Sequence, residues 1–195
     1  MIRIIRALVN IYFTIFYKIK INGLENIPNK GAAILCSNHI GQLDMFFIGY
    51  KSKRLIHYMA KEELFRNPIL SKIITYLGAF PVKRSFADVS MFRNVFKILE
   101  EEHIIGIFPE GTRMRDRSRD SVKIKSGAAL FAHEASVPII PVAISGEYRL
   151  FGRIKINIGI PFMLPDSKNK KASKEDLADM SKIIMDKIYK LMEEK

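Results

Sequence analysis

Apolar residues along this chain form short runs that alternate with segments of helical spacing. The predicted strands are "KIKING", "AAILC", "LIHYMA", "GAFPV", "IIGIFP", "VPIIPVAI" and "RIKINIGI". The predicted helices are the N-terminal segment, Gly41 to about Lys51, 62–77 with Pro68 interrupting it, "ADVSMFRNVFKILEEE", "KSGAALFAHEAS" and 172–193. Because strands alternate with helices, the pattern predicts a single-domain α/β fold with a mostly parallel or mixed sheet flanked by helices.

The first twenty residues, "MIRIIRALVNIYFTIFYKIK", predict an amphipathic helix. Its polar positions recur every three or four residues and form one stripe: Arg3, Arg6, Asn10, Thr14 and Tyr17. Asn10 and Thr14 interrupt the apolar stretch before the roughly 20 residues that a spanning helix needs. No small-residue cleavage site follows, so a signal peptide is not favoured. We expect residues 1–20 to be a membrane-interfacial helix, the alternative being a helix packed on its own domain.

Composition narrows the class of protein. The chain has 195 residues, of which 48% are hydrophobic, which fits one domain with a sizeable core and excludes general disorder. The formal charge of +12 favours a polyanionic partner, either nucleic acid, an anionic membrane or a phosphorylated ligand. Cys36 is the single cysteine, which rules out an internal disulfide. No Cys and His cluster has metal-ligand spacing, so no metal site is predicted.

Three polar clusters directly follow predicted strands. They are Asn38, His39 and Asp44 after "AAILC", Lys83 and Arg84 after "GAFPV", and "PEGTRMR", Pro109 to Arg115, after "IIGIF". In open α/β sheets ligands bind beyond the carboxyl ends of the strands. We therefore expect the three clusters to converge on one site.

His39 and Asp44 are the candidate proton-transfer pair. A histidine at a strand end can act as general base if an acid holds its other ring nitrogen. The same spacing also fits a structural polar corner, and spacing alone leaves both interpretations open. The other histidines, His57, His103 and His133, lie in apolar patterns or at a helix end and are predicted to be structural or exposed.

The sequence contains no strong signal for a protein nucleophile. It has no G-x-S-x-G motif. Cys36 closes an apolar strand run, where cysteine is usually a small buried hydrophobe. If the protein supplies a base but no nucleophile, the substrate must supply the nucleophile, such as a hydroxyl group.

The segment "PEGTR" is consistent with an ordinary turn or with a ligand-binding turn. In the second interpretation Gly111 lets the backbone approach a ligand, while Thr112 and Arg113 donate hydrogen bonds to a phosphate. No P-loop pattern is present, so nucleotide hydrolysis has no support.

The motifs together resemble those of a known family. "NHIGQLD" is similar to the His-x4-Asp motif of glycerolipid acyltransferases, and "GAFPVKR", "FPEGTRMR" and "VPIIPVAI" resemble their second, third and fourth motifs. Order and spacing agree, and "GLENIPNKG" upstream extends the resemblance over nearly the whole domain, residues 21–195. The chain most resembles the 1-acylglycerol-3-phosphate (lysophosphatidate) acyltransferase family.

This resemblance implies an activity and a role for each motif. His39 would deprotonate the free hydroxyl of lysophosphatidic acid, with Asp44 orienting the imidazole. The hydroxyl would attack the thioester of acyl-CoA or acyl-carrier protein directly, giving phosphatidic acid. The implied substrate-binding residues are Asn38, Lys83, Arg84, Glu110, Gly111, Thr112 and Arg113, with basic side chains on the acceptor phosphate. No cofactor is implied.

The expected partners are the thioester donor, the lysophosphatidic acid acceptor and an anionic membrane surface. The expected location is the cytoplasmic face of the cell membrane, as a peripheral or monotopic protein, and nucleic acid is not an expected partner. One alternative is a related acyltransferase with another lysophospholipid or lipid acceptor. A remote alternative is a non-enzymatic basic module for membranes or RNA. It leaves His39 and Asp44 unexplained, and the strands lack the aromatic and basic clusters of RNA-recognition folds.

Overall fold

The computed structural model describes residues 2–49, 51–82, 89–113, 124–165 and 172–193, with side chains from Ala7 onwards. The helices are α1 (Ile2–Phe16), α2 (Asp44–Gly49), α3 (Pro68–Tyr76), α4 (Val89–Glu100), α5 (Gly127–Ala135) and α6 (Lys174–Glu193). The strands are β1 (Lys18–Asn22), β2 (Ala33–Ser37), β3 (Ile56–Lys61), β4 (Ala79–Val82), β5 (Ile104–Ile107), β6 (Ile139–Gly146) and β7 (Arg153–Ile158). The predicted α/β class is confirmed.

The seven strands form one mixed sheet in the order β1-β7-β6-β2-β5-β3-β4. Neighbouring strands are parallel except β6 and β7, which are antiparallel. The carboxyl ends of β2 to β6 therefore lie at one edge, together with the amino ends of β1 and β7. We call this edge the C-terminal edge.

Helices cover both faces of the sheet because successive strand side chains point to opposite sides. Ile34 of β2 belongs to a buried cluster with α4, α5 and α6. Leu35, the next residue, belongs to a second cluster with Phe13 of α1 and with Phe47 and Ile48 of α2. The result is a three-layer α/β arrangement in which β2 is buried on both faces.

Pro68 begins a helix, whereas the sequence pattern predicts that it interrupts one. Glu62–Phe65 forms a separate 3-10 turn, and α3 starts after it. The Asn67 side chain accepts hydrogen bonds from the amides of Ile69 and Leu70, both at 3.0 Å. Proline is favourable at the first helical position because its missing N–H would have no helical partner there.

Helix α1 packs on the domain through one side and exposes another. Phe13 is buried, and its ring lies 4.9 Å from that of Phe47 between centroids. The large exposed apolar side chains of the helix are Leu8, Ile11, Tyr12 and Ile15. None of the helices in the described ranges is long and apolar enough to cross a membrane. The predicted helix is present, ends at Phe16 and is followed by β1 from Lys18.

Candidate active site

The turn between β2 and α2 brings His39 and Asp44 into contact. Asp44 is the first residue of α2, three positions later than the sequence pattern suggests. His39 Nδ1 lies 2.6 Å from Asp44 Oδ2, with the carboxylate fully buried and the imidazole side chain 20% exposed. Because Nδ1 faces the carboxylate, Nε2 is the ring nitrogen available to a ligand.

The Asp44 carboxylate is held by three further donors. The Ile40 amide donates to Oδ2 at 2.8 Å, and the Gly41 amide lies 3.1 Å from Oδ1 and 3.0 Å from Oδ2. The Tyr148 hydroxyl, from the segment after β6, donates to Oδ1. Burial, and then the nearby Asp44 charge, raise the pKa of Tyr148, so the phenol stays a donor at neutral pH. These contacts fix the carboxylate that orients His39.

Asn38 ties the same turn to the neighbouring strand. Its side-chain nitrogen donates to the Ile144 carbonyl at 2.8 Å, and its oxygen accepts from the Ile144 amide at 2.8 Å. The side chain is buried. Asn38 thereby positions the backbone that carries His39, while its predicted contact with substrate stays a prediction.

Glu110 joins the first and third polar clusters. Its Oε2 accepts a hydrogen bond from the His39 amide at 2.7 Å, and its side chain is also hydrogen-bonded to Tyr189 of α6. Burial raises the pKa of Glu110, against the opposing effects of these hydrogen bonds and of His39. The structure therefore brings "NHIGQLD" and "PEGTR" together at the C-terminal edge, with Glu110 holding one turn against the other.

An aromatic stack fixes the plane of the imidazole. The His39 ring stacks on Phe108, with centroids 4.2 Å apart and planes at 18°. Phe108 in turn stacks on Tyr58 at 5.9 Å and 17°. Phe108 and Tyr148 are site residues that sequence reasoning missed. Phe108 directly precedes "PEGTR" and could have been identified from its position next to this motif. Tyr148 lies 104 residues from Asp44, and no motif around it indicates the contact.

The turn after β5 carries basic side chains to the same edge. Gly111 has φ of 64°, a left-handed conformation that favours glycine, and the Lys125 side chain passes close to it, with Cε 2.7 Å from where a Cβ would lie. Thr112, Arg113 and Lys125 are exposed. Lys125 is a third site residue that sequence reasoning missed, because its sequence pattern indicates only the start of a helix.

Some predicted residues lie outside the described residues. They are the second-motif Lys83 and Arg84, together with Met114 and Arg115 of the third motif. Their predicted roles stay predictions.

The remaining candidates do not join the site. Cys36 is fully buried on β2, and burial raises the pKa of its thiol, which disfavours the thiolate that a nucleophile needs. His57 and His103 lie together at the amino ends of β3 and β5, with ring centroids 5.0 Å apart, at the edge opposite His39. His133 is buried in α5. The described residues contain no group of three His, Cys, Asp or Glu that could hold a metal ion.

This arrangement is suited to one kind of chemistry. Nε2 of His39 can accept a proton from a bound hydroxyl, and the buried Asp44 carboxylate can stabilise the resulting imidazolium. Arg113 and Lys125 offer hydrogen-bond donors to an anionic group.

Comparison with known proteins agrees with this chemistry. The acyltransferase family model matches residues 18–145. A 1-acyl-sn-glycerol-3-phosphate acyltransferase of Bacillus subtilis (strain 168) is 34% identical over 179 residues, covering 89% of this chain and 87% of the relative. The protein of the same name from Borreliella burgdorferi is 30% identical over 182 residues, covering 90% of this chain and 72% of the relative.

A solved structure has the same fold. The crystal structure of the 1-acyl-sn-glycerophosphate (LPA) acyltransferase PlsC from Thermotoga maritima aligns with 100% of this chain and 80% of its own length, at a TM-score of 0.72 and 25% identity. The family model, the curated relatives and the solved structure thus agree with one another. The chain belongs to the acyltransferase family.

Proposed function

We propose that this acyltransferase moves a fatty acyl group from a thioester donor to the free hydroxyl of 1-acyl-sn-glycerol-3-phosphate, giving phosphatidic acid. The observation that carries the proposal is the His39–Asp44 pair, in which Nδ1 meets a buried carboxylate and Nε2 is left for substrate. The acceptor is taken from the names of the bacterial relatives and the solved structure. The donor is acyl-CoA or acyl-carrier protein.

The reaction needs one base and no protein nucleophile. Nε2 of His39 takes the proton of the acceptor hydroxyl as its oxygen attacks the thioester carbonyl carbon. The tetrahedral intermediate collapses with cleavage of the carbon–sulfur bond, and the leaving thiolate takes the proton back from the imidazolium. Asp44 lowers the energy of the imidazolium while it exists. The base is therefore regenerated in every turnover.

The acceptor phosphate binds at the turn after β5. Arg113 contributes a guanidinium, which suits phosphate because its donors form a planar fork. Lys125, whose side chain passes Gly111, contributes a second cation beside it. Lys83 and Arg84 of the second motif complete the basic surface in this proposal.

The enzyme works at the membrane surface, because an acceptor with one long acyl chain resides mainly in a bilayer. The exposed side of α1 binds there as a peripheral element, since an amphipathic helix buries its apolar side at the headgroup boundary. The net charge of +12 favours an anionic surface. We place the protein on the cytoplasmic face of the cell membrane.

The test is thiol release by the purified protein with a panel of acceptors. The panel contains lysophosphatidic acid, other lysophospholipids and glycerol-3-phosphate, each with acyl-CoA and with acyl-carrier protein as donor. We expect the highest kcat/KM with lysophosphatidic acid and phosphatidic acid as the lipid product. His39→Ala is the inactive control, and His103→Ala, at the opposite edge, is the matched active one.

Two results would contradict the proposal. If none of the acceptors increased thiol release, the acyl-transfer assignment would be wrong. A higher kcat/KM with a different lysophospholipid would move the assignment to that acceptor.

A further inference from the structure

The segment that joins β6 to β7, Glu147–Gly152, exposes two large apolar side chains at the C-terminal edge. Leu150 is 58% exposed and Phe151 is 62% exposed. We call this segment the β6–β7 loop. Its position follows from the sheet, because β6 ends and β7 begins at the edge that carries His39.

The β6–β7 loop is held in this exposed arrangement by backbone hydrogen bonds. The Phe151 amide donates to the Phe16 carbonyl at 2.7 Å, and the Gly152 amide donates to the Arg149 carbonyl at 2.9 Å. Phe151 has φ of 61°, a left-handed conformation that is unfavourable for a bulky residue. Phe151 thus has an unfavourable backbone conformation, and both it and Leu150 expose their apolar side chains to solvent.

The loop continues the exposed side of α1. The Phe151 ring lies 6.1 Å from Phe16 between centroids, and Phe16 lies 4.8 Å from Tyr12, which is 45% exposed. The apolar surface therefore runs from α1 to the tip of the loop.

Basic side chains flank this apolar surface. Lys18 and Arg153 are exposed at the amino ends of β1 and β7, which lie at the same edge. Arg149, within the loop, is also exposed and is paired with Glu147. Apolar side chains flanked by cations match the headgroup boundary of an anionic bilayer.

The loop also contacts the candidate active site directly. Tyr148, two residues before Leu150, donates its hydroxyl to Asp44. The same short segment therefore carries both an apolar tip and a contact that holds the proton-transfer pair.

We propose that the β6–β7 loop inserts Leu150 and Phe151 into the headgroup boundary of a phospholipid bilayer and so seats the His39–Asp44 pair at the lipid surface. The inference rests on the proposed lipid acceptor and adds a second membrane contact to that of α1. It explains why the chain exposes these side chains beside the site.

A double variant and a matched control test the membrane contact. Leu150→Ser combined with Phe151→Asn removes both apolar side chains, and asparagine tolerates the left-handed backbone. The control is Ile160→Ser, because Ile160 is 78% exposed but follows the carboxyl end of β7 at the opposite edge. On phosphatidylglycerol–phosphatidylcholine vesicles we expect the double variant to bind at least about tenfold more weakly. The control should bind as the native protein does.

Activity measurements separate this inference from the proposed function. We expect the double variant to lose at least about tenfold more activity on long-chain acceptor in vesicles than on a dissolved short-chain acceptor. Unchanged vesicle binding, or an equal loss in the Ile160→Ser control, would overturn the membrane contact. A changed oligomeric state with unchanged vesicle binding would reassign the surface to a second copy of the chain. Failure of the native protein to acylate both the dissolved and the vesicle acceptor would overturn the proposed function, whatever the vesicle-binding result.

Discussion

The chemistry proposed for this chain depends on how the two ring nitrogens of His39 differ. Nδ1 is 2.6 Å from a carboxylate that is fully buried, whereas the ring as a whole stays partly exposed. Phe108 stacks on the imidazole and limits its rotation. A histidine with a purely structural role would not require an accessible Nε2.

We predict that His39→Ala lowers kcat by about 10²–10⁴-fold, the usual contribution of general-base assistance. The fold should persist, because the His39 side chain lies at the edge of the sheet and is 20% exposed. Turnover is measured by thiol release and folding by circular dichroism and thermal unfolding. His103→Ala should behave as the native enzyme. A loss below tenfold in a folded His39→Ala protein would remove the base assignment.

We predict that kcat falls by different amounts when the two residues that support His39, Asp44 and Tyr148, are changed. Asp44→Asn should lower kcat by at least about 10²-fold, because an amide neither stabilises the imidazolium nor fixes its tautomer. Tyr148→Phe removes one hydrogen bond to the carboxylate and should cost less, up to about 100-fold. The kcat at saturating substrate is compared for both variants. An Asp44→Asn enzyme of native activity would show that the carboxylate is only structural.

We predict that Arg113→Ala raises the apparent KM for lysophosphatidic acid by about 10–150-fold, the equivalent of one hydrogen bond to a charged group. Arg113→Lys should recover only part of the loss, because lysine lacks the planar fork. Lys125→Ala is measured in parallel. Acylation of monoacylglycerol, which has no phosphate, is the control and should change little. Equal losses on both acceptors would mean that Arg113 binds the donor or supports the fold.

At the scale of the elements, α1 combines a buried contact with the domain and a proposed membrane contact, and a deletion would remove both. Phe13 is buried against Phe47 of α2, and α2 begins with Asp44. Removing residues 1–18 would therefore uncover the helix that carries Asp44 and would also remove the start of β1 at Lys18. Substitutions on the exposed side alone are the sharper experiment.

We predict that serine at three exposed positions of α1, Leu8, Ile11 and Ile15, weakens vesicle binding by at least about tenfold. The thermal midpoint should stay close to that of the native protein, because each of these three side chains is more than half exposed. Vesicle co-sedimentation and thermal unfolding are the two measurements. Native vesicle binding in this triple variant would place the membrane contact elsewhere.

Much of the element order could be predicted from local pattern. Strand runs such as "AAILC" and "IIGIFP" are short, branched and bounded by turn residues, and they become β2 and β5. The meeting of His39 with Glu110 could also be expected, since both follow parallel strands that pair directly. The pattern gives the wrong role for Pro68, because a proline inside an apolar segment marks either a break or the first turn of a helix.

The contacts between distant segments could not be predicted in this way. Tyr148 reaches Asp44 because β6 pairs with β2, and that pairing has no signature within either segment. The approach of Lys125 to Gly111 depends likewise on where α5 begins relative to the turn after β5. Such contacts are set by tertiary packing, which periodicity alone does not encode.

At the scale of the whole molecule, the segments with proposed functions lie at one edge of the sheet. The His39 and Glu110 turns, the amino ends of β1 and β7 and the β6–β7 loop all lie there. Helices α4, α5 and α6 cover the face of the sheet opposite α1 and α2. An anionic bilayer can therefore contact α1 and the C-terminal edge without covering α6.

We predict that the charge of +12 makes membrane binding depend on anionic lipid and on salt. Each basic residue near an anionic surface contributes about 1 kcal/mol, so two or three of them should tighten binding by at least about tenfold relative to neutral vesicles. Raising the salt to roughly 0.5 M shortens the screening length to a few ångströms and should remove most of this difference. Apolar insertion should leave a residual affinity for neutral vesicles.

Matched charge variants test which basic residues cause the preference for anionic vesicles. Lys18→Gln with Arg153→Gln removes two cations from the C-terminal edge and should reduce the preference for anionic vesicles by at least about tenfold, since each engaged cation contributes about 1 kcal/mol. Lys190→Gln, on α6, should leave it unchanged, because α6 packs on the opposite face. Mixed-sequence RNA serves as the competing polyanion. If the protein bound RNA tightly at physiological salt and bound neutral and anionic vesicles equally, the charge would have to be assigned to nucleic acid.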